Sequence, residues 1–355
     1  MKKAAFCFSF IISLGISGIY AAGEMDMLSG EQQRRLELMH YGMEVSTLSF
    51  PAAAIYDFIY TTSGMVVYVN PMQLVEADPY TGEQRVIAMP EGWARRRFEG
   101  FRDLQYDAVD NSVHMLFMER GASSTGGPGF SYHILHLDDY TWTSIDELGS
   151  DIIFSWYDEE NKHIYVYQQE FRSLEADQNL PLMRRLIIKY DLNTRETLDL
   201  IDLPPELRNV TAIYGSPVRV LGESRIVNEQ YIPHYVVFDL DSRETFIFQD
   251  NLTMEERIYG NSIIDNFSLG YFINADNGMS FLAVESGNSI SRIIFLDFYS
   301  KSRETIALDN FPFSIYSFKK IASGKYGFMV GTRTWWGGYG PSFLCFLEII
   351  TDNEL

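Results

Sequence analysis

Residues 184–201 read RRLIIKYDLNTRETLDLI. Apolar and polar residues alternate up to Asp191, a polar turn follows, and alternation resumes at Thr197. Period-two patterning on both sides of a polar turn specifies an antiparallel hairpin. The same sentence recurs at 73–89 (QLVEADPYTGEQRVIAM), 131–145 (SYHILHLDDYTWTSI), 234–248 (HYVVFDLDSRETFIF) and 292–308 (RIIFLDFYSKSRETIAL). Each copy turns at an aspartate, namely Asp78, Asp138, Asp191, Asp239 and Asp297, with successive spacings of 60, 53, 48 and 58 residues. Three copies continue as Arg-Glu-Thr, beginning at Arg195, Arg243 and Arg303. An aspartate at this place can accept hydrogen bonds from the amides of its own turn, so these acids are expected to build turns.

A second pattern precedes each hairpin: an aromatic-apolar strand, a polar turn and another aromatic strand. Leu104 to Asp107 leads to Val113 to Phe117, and Phe154 to Asp158 leads to Ile164 to Tyr167. Fainter copies run from Ile55 to Val69, Ala212 to Asn228, Phe267 to Val284 and Ile315 to Val330. The two patterns together give four strands per unit, at a spacing suited to propeller blades. Five units are complete. The sixth, Phe313 to Ile350, holds three strands, and its missing outer strand is expected from Met43 to Leu48, which alternates and has no partner of its own. That pairing closes a ring of six blades and removes its open edges. Ahead of it, Ser29 with Gln32 reads as a capping box, Leu36 and Met39 share a face, and Gly42 stops the chain, which predicts a short helix packed outside the ring.

On these residues the chain resembles the exported six-bladed β-propellers of the YVTN, NHL and TolB-like kind, in which a strand ending in Asp and a Thr-rich turn such as Asp191-Leu192-Asn193-Thr194 recur. The resemblance covers roughly residues 43–350. It implies an all-β, six-bladed fold and brings no catalytic motif. The Trp-Asp ends of WD40 blades, the double glycine of kelch repeats and the sialidase Ser-x-Asp-x-Gly-x-x-Trp turn are missing, so the activities of those families are not implied.

Residues 1–22 carry Lys2 and Lys3, an apolar stretch from Ala4 to Tyr20, and small residues at Ala21 and Ala22. This is the form of a secretory signal, with cleavage expected after Ala22; a retained anchor is the lesser alternative, because the stretch is interrupted and shorter than the roughly 20 residues that span a bilayer. The expected organisation is a signal at 1–22, an N-terminal helical segment at 23–42 and a propeller at 43–355. Export to the periplasm or exterior follows, without a membrane span after cleavage. The formal charge of -20, becoming -22 without Lys2 and Lys3, excludes a general nucleic-acid binder, because phosphate neutralisation needs a basic surface. Cys7 lies in the signal, so Cys345, in the apolar run Phe343 to Ile350, has no partner for an internal disulfide and reads as a buried small hydrophobe.

Catalytic signatures are sparse. His133 and His136 leave opposite faces of one strand and cannot share a metal, and His40, His114, His163 and His234 read as strand or surface residues. No nucleophile elbow, zinc-protease helix or calcium loop occurs, and Gly121 to Gly129 lacks the lysine of a phosphate loop. No cofactor or metal is expected. Asn209, Asn251 and Asn266 begin glycosylation tripeptides, which matter only in a eukaryotic secretory host. Two loops on one face are unusual: Trp93-Ala94-Arg95-Arg96-Arg97, and Arg333-Thr334-Trp335-Trp336-Gly337-Gly338-Tyr339. They belong to neighbouring units of a closed ring. Trp93, Trp335, Trp336 and Tyr339 could stack on a sugar, peptide or aromatic group, while Arg95, Arg96, Arg97 and Arg333 pair with an anion. The bland alternative has the arginines neutralise the chain's own acids and the tryptophans plug the channel. The primary expectation is a non-catalytic binding or scaffold propeller for a protein, peptide or glycan. The competing one is an envelope hydrolase or lyase using mouth carboxylates such as Asp57, Asp107 and Asp158, whose repetition also fits turn capping.

Overall fold

The computed structural model describes residues 30–40, 42–50, 57–69, 73–90, 101–120, 128–171, 183–207, 209–224, 234–248, 271–274, 278–284, 290–297, 303–311, 314–322, 325–333 and 339–348. After helix α1 (Gly30–His40), every regular segment longer than one turn among the described residues is a strand. β1 (Glu44–Phe50) stands apart from the strands that follow it. The first meander is β2 (Asp57–Tyr60), β3 (Val66–Val69), β4 (Leu74–Ala77) and β5 (Gln84–Val86); the second is β6 (Phe101–Asp107), β7 (Ser112–Arg120), β8 (Pro128–His136) and β9 (Trp142–Ser144). The third contains β10 (Ile152–Asp158), β11 (His163–Phe171), β12 (Met183–Asp191) and β13 (Glu196–Asp202), and the fourth β14 (Asn209–Tyr214), β15 (Arg219–Ser224), β16 (His234–Asp239) and β17 (Thr245–Phe248). The fifth is β18 (Tyr271–Asn274), β19 (Gly278–Val284), β20 (Ile290–Asp297) and β21 (Arg303–Phe311), and the sixth has β22 (Ser314–Ala322), β23 (Lys325–Arg333) and β24 (Tyr339–Glu348).

β1 supplies the sixth sheet's fourth strand, running antiparallel to β24 with Glu44 opposite Phe346 and Phe50 opposite Ser342. The predicted pairing of an N-terminal strand with the C-terminal unit is therefore present. The second and third meanders are joined into one eight-stranded sheet by a bridge between Phe130 of β8 and Ile152 of β10. The innermost strands touch in a cycle: β2 with β6, β6 with β10, β10 with β14, β14 with β18, β18 with β22, and β22 with β2. This is a β-propeller arrangement.

Strand alternation explains where the core lies. On β3, Val67 and Val69 join Leu104, Val113, Met115 and Phe117 of the second meander, while Val66 and Tyr68 point the other way, toward Met329, Leu344 and Phe346 of the sixth. On β11, Ile164 and Val166 pack with Leu116 and Tyr132, and Tyr165 and Tyr167 pack with Ile213, Val220 and Phe238. Both faces of β3 and of β11 are buried, each against a different neighbour, so these cores sit between meanders. Cys345 on β24 is fully buried, as its sequence context predicts.

The aspartate turns work as expected in three copies. Oδ1 of Asp78 accepts from the amides of Tyr80 and Thr81, that of Asp191 from Asn193 and Thr194, and that of Asp239 from Asp241 and Ser242. The amide four residues on donates to the aspartate carbonyl, and that residue is left-handed: Gly82 at φ 79°, Arg195 at 57°, Arg243 at 62°. The second copy departs from this, because the turn amide of Thr141 bonds Asp139, not Asp138. The turn after Asp297 lies outside the described residues.

The helix also corrects one expectation. Leu36 and Met39 are exposed, and Leu38 is the residue buried against the sheet. The helix is held by Arg35, whose guanidinium donates to the carbonyls of Ser46 and Thr47 on β1 and lies over the Phe343 ring. Thr47 in turn donates through its amide and hydroxyl to the carbonyl of Pro79, tying β1 to the first meander.

Candidate functional site

The two ends of the meanders differ. At one end the connections are short and built from aspartate turns, such as 108–111, 159–162, 192–195 and 240–244. The connections between second and third strands and between successive meanders vary in length along the chain: 87–100, 121–127, 145–151, 172–182, 225–233 and 249–270 have seven residues or more, and 70–73, 203–208, 285–289, 312–313 and 334–338 have six or fewer. A rigid frame of strands carrying long connections at one end is the usual arrangement of a recognition surface.

Of the expected site residues, Arg333 and Tyr339 belong to described strands, at the end of β23 and the start of β24. Arg333 and Tyr339 face each other in register at the end of the β23–β24 pair. Trp93, Arg95, Arg96, Arg97, Trp335 and Trp336 lie outside the described residues, as do Asn251 and Asn266. The frame thus brings Arg333 and Tyr339 together.

The proposed carboxylates divide into two kinds. Asp107 and Asp158 end inner strands and cap the following turns: Asp107 accepts from the amides of Val109 and Asp110, and Asp158 from the amide and side chain of Asn161. Asp57 is different, because it begins β2 instead of ending a strand. Its Oδ1 accepts from the Phe58 amide (2.9 Å) and Lys319 Nζ (2.9 Å), and its Oδ2 from the amide of Leu104 on β6 (2.8 Å). Lys319 of β22 also donates to the Leu104 carbonyl at 2.8 Å, so one ammonium links the sixth, first and second meanders.

Asp103 repeats that device one meander further on. Its Oδ2 accepts from the Ser155 amide of β10 at 3.0 Å, and Oδ1 lies 3.3 Å from Arg102 Nε. Its backbone is left-handed at φ 56°, uncommon for a residue with a side chain inside a strand. Burial raises the Asp103 carboxyl above the ordinary carboxylate value, aided by the charge of Asp57 and opposed by Arg102, the Ser155 amide and Lys319. Gln105 completes the seam, donating to the Ser155 carbonyl and accepting from the Tyr157 amide. Sequence reasoning missed Arg102, Asp103 and Lys319. The available signal was a charged pair, Arg102-Asp103, inside a strand pattern that is otherwise apolar and aromatic.

A buried polar network lies toward the short-turn end between β6, β7, β8 and β10. Asp107 accepts from Tyr157 Oη at 2.6 Å and Lys162 Nζ at 2.7 Å. Burial works to raise its carboxyl, but hydrogen bonds from Lys162, Tyr157 and the Asp110 amide outweigh it and hold the group below the usual carboxylate range. His114 stacks on Tyr157 at 3.6 Å between ring centroids and bonds Tyr132 Oη through Nδ1 at 3.0 Å. Desolvation pushes His114 down to about 3, and likewise His133, held between Ser131 and Ser144, down to about 4. His136, on the opposite face from His133, bonds Thr143. Among the described residues no group of three or more potential ligands is placed to hold a metal ion. No helix among them is long and apolar enough to cross a membrane.

No family model matches the chain, and no curated protein matches it closely enough to count as a relative. Solved structures do match in fold. A protein of unknown function from Dyadobacter fermentans is 11% identical, with 87% of this chain and 100% of that chain covered and a TM-score of 0.50. The β-propeller domain of the trilobed protease from Pyrococcus furiosus is 11% identical over 80% of this chain and 79% of its own, with a TM-score of 0.45. TolB from Acinetobacter baumannii is 9% identical over 88% and 68%, with a TM-score of 0.43. The chain spans 26% of the tricorn protease, another structure that it matches. The Dyadobacter fermentans likeness is one of fold alone, and it agrees with the β-propeller arrangement that the cyclic contacts of the inner strands show.

Proposed function

We propose that this protein is an exported, non-catalytic binding or scaffold propeller that recognises a protein, peptide or glycan through its long-connection end. The observation that carries the reading is that the aspartate-capped connections are all short, whereas the longest connections, 87–100, 172–182, 225–233 and 249–270, fall between second and third strands or between successive meanders. Trp93, Arg95, Arg96, Arg97, Arg333, Trp335, Trp336 and Tyr339 are its proposed contact residues, and the cyclic contacts of the inner strands support a closed ring of six blades. The proposed organisation remains a signal at 1–22, a helical segment at 23–42 and a propeller at 43–355; intact-mass measurement of exported protein tests it by the position of the mature N-terminus. For binding, the test is a glycan and peptide array probed with the intact protein and with the Trp335→Ala/Trp336→Ala variant. Lost binding at an unchanged melting temperature supports the face; a large drop in melting temperature assigns the tryptophans to packing instead.

An envelope hydrolase or lyase is the competing reading, and the raised carboxyl of Asp103 is the observation in its favour. Asp57, Asp107 and Asp158 weigh against it, since all three are engaged by amides or side chains that build the frame. Turnover of glycosides, esters or peptides by purified protein, lost in Asp103→Asn, would establish catalysis.

A further inference from the structure

Arg102 is held unlike the other charged groups of the inner strands. Its guanidinium carbon lies 4.9 Å from the centroid of Phe130 on β8 and 4.6 Å from that of Phe154 on β10, so aromatic rings from two neighbouring meanders flank it. These are the strands that the Phe130–Ile152 bridge joins into one sheet, which fixes the two rings relative to each other. The side chain keeps 31% exposure. Among the described residues its one hydrogen-bond partner is Asp103, at 3.3 Å and through Nε alone. Aromatic faces attract the cation without satisfying its N–H groups, which leaves the terminal fork pre-oriented and without a hydrogen-bond partner among the described residues.

The neighbouring inner-strand groups show what full use looks like. Asp57 accepts three hydrogen bonds, Lys319 donates to two oxygens, and Gln105 both donates and accepts across the seam. Asp103 is a weak competitor for Arg102, since it also serves the Ser155 amide. Arg102, Phe130 and Phe154 are each the second or third residue of their strands β6, β8 and β10, and the Arg102 side chain is partly exposed there.

We propose that Arg102, clamped by Phe130 and Phe154, is a receiving site for an organic carboxylate, the fork binding both oxygens and the rings contacting the apolar body next to it. A planar guanidinium matches a carboxylate in two parallel hydrogen bonds. A monoanion is favoured over phosphate because Asp57 and Asp103 lie close by, in a chain of net charge -20. The site uses none of the expected loop residues, so it stands or falls separately from the loop-face reading.

Isothermal titration of the full chain with 3-phenylpropionate, its primary amide and inorganic phosphate tests the site. An acetylated tripeptide with a free or an amidated C-terminus tells a free acid from a chain terminus as the source. The acid should bind at least about tenfold more tightly than the amide, and Arg102→Lys, which keeps the charge but loses the fork, should weaken it by about tenfold or more. Phe154→Leu should weaken it with Arg102 intact, and circular dichroism of each variant confirms the fold. Tighter binding of either carboxylate source supports the site. Equal binding of acid and amide, preference for phosphate, wild-type affinity in Arg102→Lys, or no binding of any carboxylate up to about 10 mM would overturn it.

Discussion

Mild acid should destabilise this protein well before its carboxylates titrate. His114 and His133 are almost fully buried and uncharged in the fold, with folded values lowered by desolvation to about 3 and about 4 from an ordinary 6.5. In the unfolded chain both imidazoles take up protons below pH 6.5, while in the fold they do not, so the unfolded state binds more protons and is favoured as pH falls. The stability from excluding these protons is complete above about pH 6.5 and declines toward the folded values. At pH 5 the unfolded value lies about 1.5 units above the medium, and at about 1.36 kcal/mol per unit each histidine contributes a loss of about 2 kcal/mol relative to pH 7.5. Together they remove about 4 kcal/mol, a large share of the margin of a typical domain. Urea unfolding monitored by tyrosine and tryptophan fluorescence at pH 7.5 and 5.0 measures it. His133→Gln, which can still bond Ser131 and Ser144, should halve the difference whatever its cost at pH 7.5. Equal stability at the two pH values, or an undiminished difference in His133→Gln, would refute the reasoning.

Other outcomes follow from single contacts. Tyr157→Phe deletes a 2.6 Å bond to a buried carboxylate and should cost about 2 kcal/mol in urea unfolding at pH 7.5, with the His114 stack retained. It should also weaken the hold on the Asp107 carboxyl, whose contribution is present above the ordinary aspartate value and lost as pH falls through the folded one, so acid unfolding should begin at higher pH. Gly327→Ala places a methyl 2.9 Å from Ile321 Cδ1 and 3.0 Å from Phe58 Cε2, where the sixth sheet meets the first, and should lower stability by about 1–3 kcal/mol, read as a fall in the urea midpoint. Cys345 is buried and its thiol is pushed up by desolvation, so it should resist a thiol reagent at pH 8 in the native protein and react promptly in denaturant.

Much of the frame was legible because it is local. The aspartate turns, the alternation either side of them and the unpartnered run at 43–48 are periodicities of two and hydrogen bonds within four residues, and such patterns are written in sequence. Asp138 was misread because Asp138 and Asp139 are adjacent, and the turn could be built by either. Leu36 and Met39 share a helix face, yet the buried face is set by Arg35 bonding β1, a contact eleven and twelve residues away.

By itself the sequence determined the succession of strands, most of the aspartate turns and the use of the N-terminal strand beside the last one. The tertiary structure decided which polar residues are consumed and which are left over. Asp107, read from sequence as a possible catalytic acid, is spent on Tyr157, Lys162 and its own turn. Arg102, overlooked in the sequence, is clamped between rings that stand 28 and 52 positions further along the chain. The reason is that a turn's hydrogen bonds are fixed by neighbours in the chain, whereas the fate of a charge depends on which side chains the closing of the sheets brings against it.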